Sequence, residues 1–370
     1  MLDISINFLG TEFRNPLIAA PGPWTKDYES IKHLFDAGIG GIVTKTIVLE
    51  KSRNPSPCLY RGKGYFLNTE RCSTIALEQW ISSEMPRLRT LGIPIIASIG
   101  MHPEEVSELA PQIVASGAHM IELSIFTPYN DPSPLIKAIK LVKQRIDVPV
   151  IAKLSFNVHD IVEFGLAAKD AGADGLSAID AIKAGLDVDI LTGVPTLYDQ
   201  GFGRVSGEAI RAFALYSLAL LTHYVKLPII GIGGIMSGED AVKMIYCGAS
   251  LVGICTALII CGPSVISKIL NELKDTLRKI GASSLAEIRG KTVTMIDFPE
   301  SPDERLEYEK RIWRGEKKVA SIETDKCVKC EKCQNLCVYH AIQNFQVVAG
   351  LCQGCGLCRS ICPTGAIRFC

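Results

Sequence analysis

Nine of the chain's 14 cysteines fall between Cys327 and Cys370. Eight of them follow one cadence written twice, Cys327-x2-Cys330-x2-Cys333-x3-Cys337 and Cys352-x2-Cys355-x2-Cys358-x3-Cys362-Pro363. Thiolates two residues apart on a tight turn can grip one iron–sulfur cubane, and in this spacing the fourth ligand arrives from the other run. The expectation is one [4Fe-4S] cluster on Cys327, Cys330, Cys333 and Cys362, and a second on Cys352, Cys355, Cys358 and Cys337. Gly354 and Gly356 suit the cramped turn of the second run. The plainer alternative, structural zinc, asks for four ligands and not eight in this rhythm. Val338 stands where a proline commonly follows the fourth cysteine, which weakens a turn and not a ligand. Cys370 is left over.

The rest of the chain reads as a scaffold for a second kind of chemistry. Eight short apolar, β-branched runs recur: Leu17–Pro21, Gly41–Thr46, Pro94–Ile99, His119–Ile125, Val148–Leu154, Gly175–Ile179, Pro228–Gly233 and Leu251–Thr256. Helical patterns such as Pro103–Ser116, Ser133–Arg145, Val158–Ala171, Gly207–Thr222 and Gly238–Cys247 separate most of them. Runs too short for helices and too continuous for one-sided strands read as buried parallel strands. Eight in alternation with helices predict an α/β fold, a (β/α)8 TIM barrel, followed by a two-[4Fe-4S] ferredoxin-like domain. The expected divisions are 1–290 for the barrel with a hairpin around Leu9-Gly10-Thr11, 291–317 for a charged connector, and 318–370 for the cluster domain. An open doubly wound sheet would need a glycine-rich turn after the first strand, and Ala20-Pro21-Gly22-Pro23 is not that fingerprint.

Barrel chemistry sits at the carboxyl ends of strands. Gly233-Gly234 and Cys255-Thr256 end the seventh and eighth, where such barrels commonly bind a phosphate through backbone N–H groups. Lys45 and Lys153 reach the same mouth from strands two and five and point to an anionic cofactor. Clusters carry single electrons, so a barrel fused to them needs a centre that divides a two-electron step, and a flavin does this. FMN has one phosphate to match one phosphate site, with Lys153 expected near N1 and the C2 carbonyl of its ring. Lys+Arg and Asp+Glu are both 39, so the net charge is zero, which argues against a nucleic-acid protein. Apolar stretches fall short of the roughly 20 residues of a membrane helix, and the start shows no export signal, so a cytoplasmic protein is expected.

The segments NPLIAAPGP, VTKT, IELSIFTP, AKLSFNVHDI, GADGLSAID, GRVSGEAIRAFAL and GIGGI together resemble the flavin-dependent dihydroorotate dehydrogenases. With the double cysteine run they resemble the flavin and iron–sulfur subunit of bacterial dihydropyrimidine dehydrogenases. The resemblance spans nearly the whole chain. It implies FMN contacts at Ala20, Pro21 and Gly22 after strand one, Lys45 and Thr46 after strand two, and Asn68. Lys153, Ser206, Gly207, Gly233, Gly234, Cys255 and Thr256 complete that set. It also implies an electron-transfer partner, either an FAD- and NAD(P)H-binding subunit or a ferredoxin; a homo-oligomer is a further expectation.

The departures bear on the substrate. The family pattern after strand four is roughly LNxSCPN, with a cysteine as acid/base and two asparagines on the pyrimidine. Here Ser124, Thr127 and Tyr129 stand in for the first Asn, the Cys and the last Asn, and Asp180 replaces an Asn after strand six. Asn68 keeps its amide, which suits a pyrimidine edge. Thr127 ranks first by position as the proton-handling group, ahead of Tyr129 and Cys72, with Lys45 beside the flavin. Asn68, Ser124 and Asp180 are the expected substrate contacts, with Asp180 disfavouring a carboxylate and favouring a neutral or cationic carbonyl compound. The reading is an FMN- and iron–sulfur-dependent oxidoreductase acting on a CH–CH group next to a carbonyl, with a diverged substrate. The alternative is an electron-transfer subunit with no small-molecule substrate of its own.

Overall fold

Short β-branched runs covered on both faces have no solvent side, so they pair in parallel and close on themselves. The computed structural model describes residues 2–305 and 315–370. Strands β1 (Ile6–Phe8) and β2 (Thr11–Phe13) form a hairpin ahead of β3 (Leu17–Ala19) and β4 (Gly41–Val43). A short pair, β5 (Leu59–Arg61) and β6 (Phe66–Asn68), precedes β7 (Ile95–Ile99), β8 (Met120–Leu123), β9 (Val150–Leu154) and β10 (Gly175–Ala178). A second pair, β11 (Ile182–Gly185) and β12 (Gly203–Ser206), precedes β13 (Ile229–Ile232) and β14 (Leu251–Ile254). The closed barrel runs β3-β4-β7-β8-β9-β10-β13-β14, and β14 pairs in parallel with β3.

The helices start where local chemistry starts them. Asp160 accepts from Val162 N–H ahead of the helix Ile161–Asp170, and Ser237 accepts from Asp240 N–H ahead of Gly238–Tyr246. Pro103 opens the helix Pro103–Ser116, where its missing N–H is harmless.

Inside the barrel the side chains form layers. Phe8 and Phe13 of the hairpin, edge to face at 6.3 Å, pack with Ile18, Val43, Ile96, Met120, Ile151 and Leu251. A Cβ on Gly41, at the start of β4, would stand 2.5 Å from the Phe13 ring, so the hairpin plugs the amino-terminal end against a strand with no side chain there. Strand period two places the next inward residues one layer higher. They are Lys45, Ser98, Glu122 and Lys153, two residues after Val43, Ile96, Met120 and Ile151. The interior thus changes from apolar to polar towards the carboxyl ends.

Two features differ from the expectation. Strands β5, β6, β11 and β12, three or four residues each, assemble as a four-stranded antiparallel sheet in the order β11-β12-β6-β5. It grows from the loops after β4 and β10, and strands this short carry no periodic signal. The chain also divides into units 1–302 and 303–370, so the first part of the expected connector, 291–317, goes with the barrel unit. Thr292 N–H donates to the Tyr246 carbonyl at 3.1 Å, Phe298 stacks on His223 at 4.3 Å, and Tyr224 Oη donates to the Pro299 carbonyl at 2.9 Å. These contacts hold the first half of that segment on the barrel; residues 306–314 of it lie outside the described residues. No helix among the described residues is long and apolar enough to cross a membrane.

In the second unit, β15 (Ala320–Ile322) pairs antiparallel with β18 (Ile367–Phe369), and β16 (Ile342–Gln343) with β17 (Gln346–Val347). The two cysteine runs share one backbone path. Lys329, Glu331 and His340 have φ of 52°, 61° and 51°, and Gly354, Gly356 and Gly365, at the offset that separates Cys327 from Cys352, have 68°, 82° and 63°. Only the second run uses glycine for these left-handed positions; the first bears side chains there.

Candidate active site and cysteine-lined cavities

The carboxyl ends of the barrel strands and one face of the antiparallel sheet enclose a cavity of about 490 Å³. All thirteen residues expected to touch the cofactor line it, from Ala20-Pro21-Gly22 at β3 round to Cys255-Thr256 at β14. Ser124, Thr127, Asp180 and Cys72 line it as well. Tyr129 does not: it is exposed, and its ring meets the edge of His159 at 5.9 Å. The tyrosine expected among the proton-handling groups is therefore turned away, because the strand-four loop spends its backbone carbonyl on His159 N–H at 2.7 Å.

Lys153 is the electrostatic centre. Its Nζ lies 3.5 Å from Glu122 Oε1 and 3.3 Å from Asp180 Oδ1, with its side chain 8% exposed and that of Glu122 0%. Burial alone would depress the lysine, but the Asp180 and Glu122 carboxylates outweigh it and hold Lys153 charged well above the ordinary lysine range. Glu122 Oε2 is buried with no hydrogen-bond partner among the described residues. Across the mouth, Lys45 Nζ sits 2.7 Å from Glu70 Oε2. The sequence reading passed over Glu122 and Glu70. Glu122 announced itself as the one acid inside an apolar strand run; Glu70, in a loop, left no signal.

Asp180 thus spends its charge on Lys153. The cavity lining carries the cations Lys45, Arg71, Lys153, Lys183 and Arg204 against the carboxylates Glu50, Glu70 and Asp180. The negative charge expected of Asp180 thus faces Lys153, which Glu122 faces as well.

At the β13 and β14 ends Gly233, Gly234, Cys255 and Thr256 line the cavity as a cradle. Gly233 and Gly234 have φ of 128° and 76°, and a Cβ on Gly22 would stand 2.5 Å from Cys255 Sγ. Thr256 Oγ1 and Ser206 Oγ share a hydrogen bond of 2.9 Å beside it. Burial pushes the Cys255 thiol up to about 11, and that of Cys72 upward too, so both are neutral thiols at pH 7. An alanine at Gly234 would need a left-handed φ with its Cβ 2.8 Å from Arg211 backbone atoms. Gly234→Ala is expected to lose about 1–3 kcal/mol of stability and most cofactor occupancy, read from denaturant midpoint and visible absorbance.

The C-terminal unit holds two small cavities. One is lined by Cys327, Cys330, Cys333 and Cys362, the other by Cys337, Cys352, Cys355 and Cys358. Backbone N–H groups of Ala341 and Ala366 reach Cys337 Sγ and Cys362 Sγ, each at 3.3 Å. Among the described residues, no three His, Cys, Asp or Glu stand close enough together to hold a single metal ion.

A family model described as dihydroorotate dehydrogenase matches residues 3–277, and one described as a 4Fe-4S binding domain matches residues 345–368. The chain is 35% identical over 298 residues to the dihydroorotate dehydrogenase B (NAD(+)) catalytic subunit of Pyrococcus abyssi, covering 78% of this chain and 98% of that protein. It is 34% identical over 304 residues to the subunit of the same name from Methanothermobacter thermautotrophicus, with 78% and 98% covered. For that of Geobacter sulfurreducens the identity is 32% over 300 residues, with 78% and 97% covered. These alignments nearly exhaust the relatives and leave about a fifth of this chain unmatched.

Proposed function

The chain belongs to the dihydroorotate dehydrogenase family, and on that premise we propose that it is an FMN- and iron–sulfur-dependent oxidoreductase acting on a CH–CH group next to a carbonyl. The observation that carries this reading is convergence. One cavity gathers a buried lysine, a glycine cradle and a threonine on the strand-four loop, and a separate unit gathers eight thiols in two sets of four. The donor sets fit the groups: a backbone cradle of Gly233, Gly234 and Thr256 for a phosphate, and crossed thiols for two [4Fe-4S] clusters. Bound there, FMN would supply hydride chemistry towards a substrate carbon and single-electron exchange towards the clusters.

The chain's own side chains do the rest. Lys153 keeps a fixed positive charge in the cavity because two carboxylates hold its proton, and it would offer that charge to a bound flavin ring. Lys45, paired with Glu70, lines the same face. Thr127 is the side chain proposed to hold or pass a proton at its Oγ1; its place in the cavity lining supports this, with Tyr129 facing away and Cys72 Sγ 3.5 Å from Met101 Sδ. The pyrimidine amides of the family are absent at positions 124, 129 and 180. A buried amide left without partners loses about 1–3 kcal/mol per group, so the substrate is a different unsaturated carbonyl compound.

The relatives are named as catalytic subunits of an NAD(+) enzyme, which supports a redox partner for this chain, an FAD- and NAD(P)H-binding subunit or a ferredoxin. The alternative, an electron-transfer subunit without a substrate, draws on those missing amides; Ser124, Thr127 and Asp180 lining the same cavity as the expected cofactor contacts supports the enzyme. The test is anaerobic absorbance of the bound flavin against a panel of saturated and unsaturated carbonyl compounds. At least one is expected to change the flavin's redox state within seconds; a flavin that answers only to a redox partner supports the second reading instead.

A further inference from the structure

The buried charges under the cavity do not sum to zero. Lys153 Nζ faces two carboxylates, Glu122 Oε1 at 3.5 Å and Asp180 Oδ1 at 3.3 Å, while Lys45 and Glu70 pair one to one. Two ammonium groups against three carboxylates leave one net negative charge. Strands β3, β13 and β14 send only Ile18, Ile230, Ile232 and Leu251 into the interior, and no charge. Arg71, Lys183, Arg204 and Glu50 also line the cavity, but they are exposed and screened by water and salt. The three inner carboxylates are not alike. The Asp180 side chain is 45% exposed, and Glu70 sits 2.7 Å from its own lysine. Glu122 is fully buried, does not line the cavity, and leaves Oε2 with no hydrogen-bond partner among the described residues. The Ser177 hydroxyl, opposite Lys153 on the next strand, is a second buried orphan of the same barrel interior. A buried carboxylate oxygen without a donor is costly, whereas a protonated one becomes a donor itself.

We propose that Glu122 is a proton-uptake site coupled to the flavin: it binds one proton when the flavin is reduced and releases it when the flavin is reoxidised. This rests on the cavity holding FMN, as proposed above, and goes beyond it by naming where the compensating charge comes from. Two electrons and one proton, arriving together as hydride, turn neutral oxidised flavin into a reduced anion. That anion would add a second negative charge above a set that already carries one, at the short range where buried charges act strongly. One proton from solvent on the Glu122 carboxylate cancels the change, so two electrons travel with two protons in all. Only an O–H bond forms at Glu122, and Lys153 keeps its proton throughout. The route inward is a pair of hydroxyls. Thr46 lines the cavity, its Oγ1 shares a hydrogen bond of 3.1 Å with Ser98 Oγ, and Ser98 stands opposite Glu122 on the neighbouring strand.

The test is anaerobic spectroelectrochemistry of the full-length holoprotein, read at the flavin absorbance across neutral pH. Each proton bound per two electrons makes reduction tenfold less favourable per pH unit, about 30 mV for a two-electron couple. The parent is expected to take up two protons, a slope of about 60 mV per pH unit, and Glu122→Gln only one, a slope of about 30 mV. A one-proton slope in the parent, or a two-proton slope in the variant, overturns the site. A second measurement needs no variant. The reduced-minus-oxidised infrared difference spectrum of the parent is expected to gain a protonated-carboxyl band that shifts when glutamate carboxyl carbons are isotopically labelled. No such band, or one that does not shift, overturns the site, and a band that survives in Glu122→Gln puts the proton on another glutamate. Flavin that binds but shows a one-proton slope removes the proton site alone. A holoprotein that carries iron and no flavin removes the cofactor reading and the proton site with it.

Discussion

Lys153→Met is expected to destabilise the barrel by about 3–5 kcal/mol, the typical consequence of removing one partner from a buried ion pair. Among the described residues Glu122 is fully buried, one of its oxygens has no hydrogen-bond partner, and the only ammonium near the other is Lys153 Nζ. Methionine fills the space of the lysine stem but strands a carboxylate in the barrel interior. The deficit should therefore belong to Glu122 more than to the lost lysine. Lys153→Met/Glu122→Gln should recover most of it, since a neutral amide no longer needs the cation. Urea unfolding followed by tryptophan fluorescence, to which the fully buried Trp80 contributes, reads the midpoints. A single variant as stable as the parent, or a double variant worse than the single, would show that the charge at Glu122 is balanced elsewhere. The single variant should also hold reduced flavin less tightly relative to oxidised flavin, because the lost charge opposes an anion. Equal loss for both redox states would contradict the role given to Lys153.

Cys337→Ala is expected to lower the metal content from about eight iron per chain to about four, as one cubane of two is lost. The geometry says which one. Cys337 lines the cavity of Cys352, Cys355 and Cys358, and not that of its own run. Pairs of substitutions expose the crossing. Cys337→Ala/Cys355→Ala removes two ligands from one site and should still leave about four iron, whereas Cys337→Ala/Cys330→Ala strikes both sites and should leave almost none. Anaerobic iron and acid-labile sulfide assays read the difference. The opposite pattern would mean that each run holds its own cluster, and about one zinc without sulfide would remove the clusters altogether.

Much of this protein was legible along the chain because the signals are local. Eight β-branched runs alternating with helical patterns specify a barrel, since period and length are properties of short windows. The cysteine cadence predicts crossed ligand sets for the same reason. Even the polar layer was written down: Val43, Ile96, Met120 and Ile151 are each followed two residues later by Lys45, Ser98, Glu122 and Lys153, and strand alternation turns that spacing into height inside the barrel. What tertiary structure alone decided is which charges meet. Asp180 looked like a free negative charge for a cation, yet it is bound to Lys153. Glu122 meets Lys153 from the neighbouring strand, and Lys183, Arg204 and Asn68 share a row only through the register of strands three or four residues long. Tyr129, in the right place along the chain, faces His159 and not the cavity. Pairing depends on distance between residues far apart in sequence, and a charge acts by what it faces, so its sign in the chain does not foretell the field in the pocket.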